Sequence, residues 1–152
     1  MDTDVLVAGL RSSTGASRVL LEAVSAGVIQ PLISVATFLE YEAVLTRMEQ
    51  LMAMRLTHGD VDAFLDVFMA RAEEVSPYYN HGGMILDPDD DKFVTAAING
   101  NAEAIVTFNV RDYVPRDGRI TGLGILVCRP GDILRRLPWR PSATSPFGFL
   151  PH

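Results

Sequence analysis

Short apolar runs alternate with amphipathic stretches along this chain. Val5-Leu6-Val7-Ala8 is an unbroken apolar run with β-branched members, and it predicts a strand that starts abruptly behind Asp2-Thr3-Asp4. Arg11-Ser12-Ser13-Thr14-Gly15 reads as a loop. Ala16, Val19, Leu20, Ala23 and Val24 then recur at helical spacing until Gly27 stops them. Residues 28–33 predict a second short strand, with Pro31 tolerable near its beginning. Ser34 is a good N-cap, and Phe38, Leu45, Met48 and Met52 predict one long helix running to residue 55. Val61, Phe64, Leu65 and Phe68 predict a third helix over 60–72. A break rich in Pro, Asn and Gly follows at 76–83, and then the short apolar run Met84-Ile85-Leu86 reads as a strand. Residues 92–98 predict a helix closed by Asn99-Gly100, 104–108 and 124–128 predict buried strands, and 130–137 a last short helix with Pro130 in its first turn.

Strands that alternate with helices in this way predict an α/β fold, a three-layer α/β/α sandwich around a mainly parallel central sheet covered on both faces. The length of 152 residues suits one domain, expected over 1–137 and followed by a Pro- and Ser-rich tail at 138–152. With 48% apolar residues the chain can bury a sizeable core. No apolar run approaches the roughly 20 residues of a membrane span. The start has neither the basic nor the apolar region of a secretory signal. The single cysteine, Cys128, cannot form an internal disulfide and reads as a small buried hydrophobe, so a reducing cytoplasm is expected.

Candidate chemistry centres on Asp87, Asp89, Asp90 and Asp91, four carboxylates in five positions. Like charges this close disfavour their own ionisation, which points to a cation among them. Mg²⁺ or Mn²⁺ is the simplest, since both prefer hard oxygen ligands. An Asp-rich turn capping the next helix is the alternative. In parallel sheets ligands collect outside the carboxyl ends of the strands, where Asp2 and Asp4, the 87–91 cluster and Asp112 are all expected. A further acid has to come from the long helix, which offers Glu40 and Glu42; these lie two residues apart on different faces, and helical phase does not choose between them. The net charge of −6 argues against a conventional basic nucleic-acid binder. Positive charge is nevertheless concentrated downstream, with 16 acids against 6 Lys and Arg up to residue 110 and 7 Arg against 3 acids beyond it. Arginines beside an acidic metal site suit a phosphate ester, and scattered solubility charges give the same count.

At this point the chain resembles the PIN-domain ribonucleases, and among them the toxins of bacterial type II toxin-antitoxin pairs. Asp2-Thr3-Asp4-Val5-Leu6 is similar to the family's opening Asp-Thr-Asn-Val-Leu. Phe38-Leu39-Glu40-Tyr41-Glu42-Ala43-Val44-Leu45 resembles its Leu-Glu-Glu-Tyr-x-x-Val-Leu helix, and this match selects Glu40. Asp87-Pro88-Asp89-Asp90-Asp91-Lys92-Phe93 is similar to its third motif, and residues 105–113, with Thr107, Asn109 and Asp112, resemble the fourth. The resemblance covers residues 2–137 and implies a metal-dependent endoribonuclease holding one or two Mg²⁺ or Mn²⁺ ions. By it Asp2 and Asp91 are the principal ligands, Glu40 a ligand or orienter of water, and Asp112 an outer or second-metal ligand, with Asp4, Thr107 and Asn109 in support. It also implies an RNA substrate, an antitoxin partner and a homodimer, with no membrane.

Three departures stand out. Asp4 replaces the family's Asn, Asn109 stands where many members have an acid, and only Met1 precedes Asp2, so the first strand is expected to be truncated. Two other readings follow from the residues. A chain with the fold but degenerate chemistry would be a binding protein. Asp2-Thr3-Asp4-Val5 also fits the nucleophile loop of haloacid-dehalogenase-type phosphatases, although that class's remaining motifs are missing.

Overall fold

Residues predicted to open the fold as a strand instead form its first helix, α1 (Thr3–Arg11). An apolar run as short as Val5 to Ala8 is compatible with a buried strand and with a buried helix. Packing decides for the helix: Val5, Leu6, Gly9 and Leu10 are buried, the i, i+1, i+4, i+5 pattern of one helical face. Gly9 lets this face approach α2 (Ala16–Ser25) closely, since a Cβ there would lie 2.5 Å from Leu21 Cδ1 and 3.0 Å from the Ser17 carbonyl. What remains of the expected first strand is one rung, Asp2 N–H to the Val106 carbonyl at 2.9 Å.

The computed structural model describes residues 1–76, 91–113 and 123–142. The Met84-Ile85-Leu86 run, Asp87, Asp89, Asp90 and most of the C-terminal tail lie outside the described residues. Beyond α2, which stops where Gly27 takes a φ of 74°, come β1 (Leu32–Ile33), α3 (Val35–Leu45), α4 (Met48–Met54), α5 (His58–Met69) and β2 (Glu73–Glu74). The second part of the chain supplies α6 (Asp91–Asn99), β3 (Ala104–Val106), a 3₁₀ helix (Val110–Tyr113), β4 (Leu126–Cys128) and α7 (Pro130–Arg136).

Side-chain capping sets several of these boundaries. Ser34 and Thr37 cap α3 reciprocally, Thr37 N–H donating to Ser34 Oγ and Ser34 N–H to Thr37 Oγ1. Thr57 and Asp60 do the same for α5, which therefore starts at His58, two residues ahead of the sequence expectation. The single long helix expected from Ser34 onward is two helices. Thr46 donates its hydroxyl to the Glu42 carbonyl at 2.7 Å, and Arg47 turns extended to start α4.

The described strands form two separate two-stranded parallel sheets, β1 with β2 and β3 with β4, paired Leu32 to Glu73 and Ala104 to Leu126. β2 was not foreseen, because Glu73 and Glu74 are exposed and show no apolar alternation. Parallel strands with seven helices among the described residues make the chain an α/β protein. Its main core gathers Leu6, Leu21, Tyr41, Phe64, Phe68 and Ile105, and a smaller cluster joins Val5 and Leu20 to Val106 and the free, buried Cys128. None of the described helices is long and apolar enough to cross a membrane.

Candidate active site

Two acids from the start of the chain meet residues from the end of β3. Asp2 is buried ahead of α1 in an extended conformation, fixed by its rung to Val106. It does not cap α1 with its side chain, because its carboxylate is engaged elsewhere: Oδ2 accepts from Thr107 Oγ1 at 2.8 Å and from the Tyr113 hydroxyl at 3.0 Å. Thr107 is fully buried where the chain leaves β3. Its one proton goes to Asp2, while its oxygen accepts from Asn109 N–H at 3.0 Å.

Asp4 lies one step along, in the first turn of α1, where an acid is favoured by the helix dipole. Its Oδ2 accepts from Phe108 N–H at 3.0 Å and lies 3.5 Å from both Thr107 Oγ1 and Asn109 Nδ2. Its Oδ1 is buried without a hydrogen-bond partner among the described residues. Burial first, and then the charge of Asp2, push the Asp4 carboxyl up to about 6, against the pull of the Phe108 and Val5 N–H groups and Thr107.

Glu40 approaches from α3. It shares a cleft of about 410 Å³ with Thr3, Asp4 and Arg11, and its Oε2 pairs with Lys92 Nζ at 3.5 Å. The neighbouring Tyr41 is buried and donates its hydroxyl to the Met1 carbonyl, which ties α3 to the peptide carrying Asp2. Burial, then Asp2, then Glu40 hold the Tyr41 phenol well above its ordinary value, so both acids lie close enough for their charge to be felt. Asp91 is the first residue of α6, next to Lys92, and Asp112 sits half-buried on the 3₁₀ helix next to Tyr113.

The structure thus brings Asp2, Asp4, Thr107 and Asn109 into one hydrogen-bonded set and puts Glu40 on a cleft with Asp4. Asp91 and Asp112 are adjacent in sequence to residues that touch this set or Glu40. Among the described residues no three His, Cys, Asp or Glu side chains form a group that could hold a metal ion by themselves. Sequence reasoning passed over the roles of Tyr113 and Tyr41; the available signal was a hydroxyl-bearing aromatic directly after a candidate acid in each case.

The Asp4 environment has a measurable consequence. Its folded-state value stands above the unfolded one, so without added metal the fold loses stability as pH rises through about 6, and the loss is absent below about pH 4, where both states are protonated. Asp4→Asn keeps an acceptor for Phe108 N–H and removes the charge. In thermal unfolding it is expected to stabilise the protein at about pH 8 by on the order of 1 kcal/mol, allowing for screening of a partly exposed group, and to change nothing near pH 4.

An α/β domain with carboxylates gathered beside the exit of a parallel strand is the class defined so far. The sequence model of the PIN-domain family matches residues 1–111, from ahead of Asp2 to just short of Asp112. The chain belongs to the PIN-domain family. PIN domains are generally nucleases, hydrolases by reaction class, and typically bind divalent metal ions. No curated protein and no solved structure matches the chain.

Proposed function

We propose that this PIN domain is an Mg²⁺- or Mn²⁺-dependent endoribonuclease and the toxin of a toxin-antitoxin pair. The observation that carries the nuclease reading is the joining of Asp2 and Asp4 through Thr107 at the end of β3, with Glu40 across the cleft. The four sequence motifs support the RNA substrate and the toxin role.

The residues present fit a hard divalent cation on the chemistry of their donors. They are all carboxylates, one buried Asp4 oxygen lacks a hydrogen bond, and the proximity of Asp2 raises the proton affinity of Asp4, a repulsion that a cation would relieve. Asp2, Asp4, Glu40, Asp91 and Asp112 are the residues that would hold it. When bound, such an ion supplies Lewis acidity to a phosphodiester.

The chain's own groups would do the rest. Thr107 and Tyr113 hold the Asp2 carboxylate in one orientation. Lys92 and Arg11 offer cationic contacts to the backbone phosphates of a strand entering the cleft. Glu40, paired with Lys92 in the absence of substrate, is placed to accept a proton from an attacking water once a phosphate draws Lys92 away. Exposed Val35 and Leu39 on α3 and Met48 and Met52 on α4 support the expected homodimer.

The test is cleavage of single-stranded RNA by the purified protein. Cleavage is expected with Mn²⁺ or Mg²⁺, lost on adding EDTA and restored by excess metal. Undiminished cleavage in EDTA, or none with either metal, overturns the proposal.

A further inference from the structure

A second cavity, of about 400 Å³, lies away from the acids and is lined by Met1, Leu32, Phe93, Ala104, Val106 and Ile133 among others. It is bounded by the free edges of both small sheets. β1 uses the carbonyls of Pro31 and Ile33 to bind Glu73 N–H and Val75 N–H at 2.8 and 2.7 Å. β3 likewise uses the Glu103 carbonyl and Thr107 N–H to bind Leu126 and Cys128, both at 3.0 Å. Alternation along a parallel strand therefore turns the backbone groups of Leu32, Ala104 and Val106 to the edges away from β2 and β4. Of these groups only the Val106 carbonyl has a backbone partner beyond its own sheet among the described residues, and that partner is Asp2 N–H. Unpaired backbone groups beside an apolar cavity are costly to leave so.

We infer that this cavity is a strand-binding slot, and that its occupant is an extended apolar segment joined to the chain at Met1, which pairs with β3 and β1 and merges the two sheets into one. The Asp2–Val106 rung fixes direction and register. A strand running parallel to β3 and ending at Asp2 has the residue just ahead of Met1 donating to the Ala104 carbonyl and accepting from Val106 N–H. The slot reaches back along β3 to Ala102, which is room for roughly four residues at about 3.3 Å each. Its walls, Leu20, Ile29, Phe93 and Ile133, call for β-branched aliphatic side chains. The inference concerns the sheet and stands apart from the nuclease proposal.

The experiment appends Ile-Val-Ile-Val, or the less apolar Thr-Val-Thr-Val, ahead of Met1 in the full chain, with Gly-Ser-Gly-Ser as the control. Both β-favouring extensions are expected to raise Tm by at least about 5 °C and to slow hydrogen exchange at the Val106 and Leu32 amides at least tenfold, while the control changes neither. Equal effects from all three, no added protection at Val106, or protection by the free Ile-Val-Ile-Val peptide but not by the joined one, overturn it.

Discussion

Asp2→Asn is expected to remove RNA cleavage and leave the fold standing. The amide has the shape of the carboxylate, and its carbonyl still accepts from the Thr107 and Tyr113 hydroxyls that fix Asp2 at 2.8 and 3.0 Å. What it lacks is the negative charge, which is what attracts a cation and what Asp4 and Tyr41 both sense. The loss should be at least about a hundredfold, the upper range for disturbing groups that support a metal site and below that for abolishing a ligand. The Tm should stay within about 3 °C of the parent, which separates lost chemistry from lost structure. Binding of Mn²⁺, followed by calorimetry, should weaken in parallel. Full activity in Asp2→Asn would remove the nuclease proposal at its root.

The largest effect on stability is expected from Phe64→Ala. Phe64 is completely buried, its ring centroid 5.8 Å from that of Phe68, which packs edge-on against Tyr41 at 6.0 Å. Tyr41 in turn stacks at a tilt on Phe93 of α6 and donates to Met1. Emptying the Phe64 position removes transfer free energy and leaves a void in a rigid aromatic chain, costing about 3–5 kcal/mol. Against a typical total of about 5–15 kcal/mol this is a large share. Urea unfolding should show it, and Tm should fall by roughly 8–15 °C. Phe64→Leu, which keeps most of the volume, should cost less than about 1.5 kcal/mol. A similar loss in both variants would mean that the ring contacts are less important than the packing implies.

Local chemistry explains what could be read from the chain and what could not. Gly27, Ser34 and Pro130 each act within one turn of their own position, and the ends they mark agree with the sequence reading. The run Val5 to Ala8 misled because four adjacent apolar residues have no period, and only the packing of α1 on α2 settles it. The break at Thr46 depends on which way one hydroxyl turns, and β2 on a pairing with β1 that its two glutamates do not advertise. In the site, Asp2, Asp4, Thr107 and Asn109 were legible through motifs, and the structure joins them. The contribution of Tyr113 was not, since its bond to Asp2 spans 111 positions and nothing near either residue signals it. Glu40 was selected over Glu42 by resemblance where helical phase was silent, and it lines the cleft.

That span has a temporal side. Synthesis delivers the N-terminus first, at a pace of about 5–20 residues per second, so Asp2 and Asp4 leave the ribosome several seconds before the hydroxyls that orient them. A nascent or prematurely ended chain holds both acids yet has no means of aligning them, and stays inert toward the RNA around it until Tyr113 has emerged and folded back.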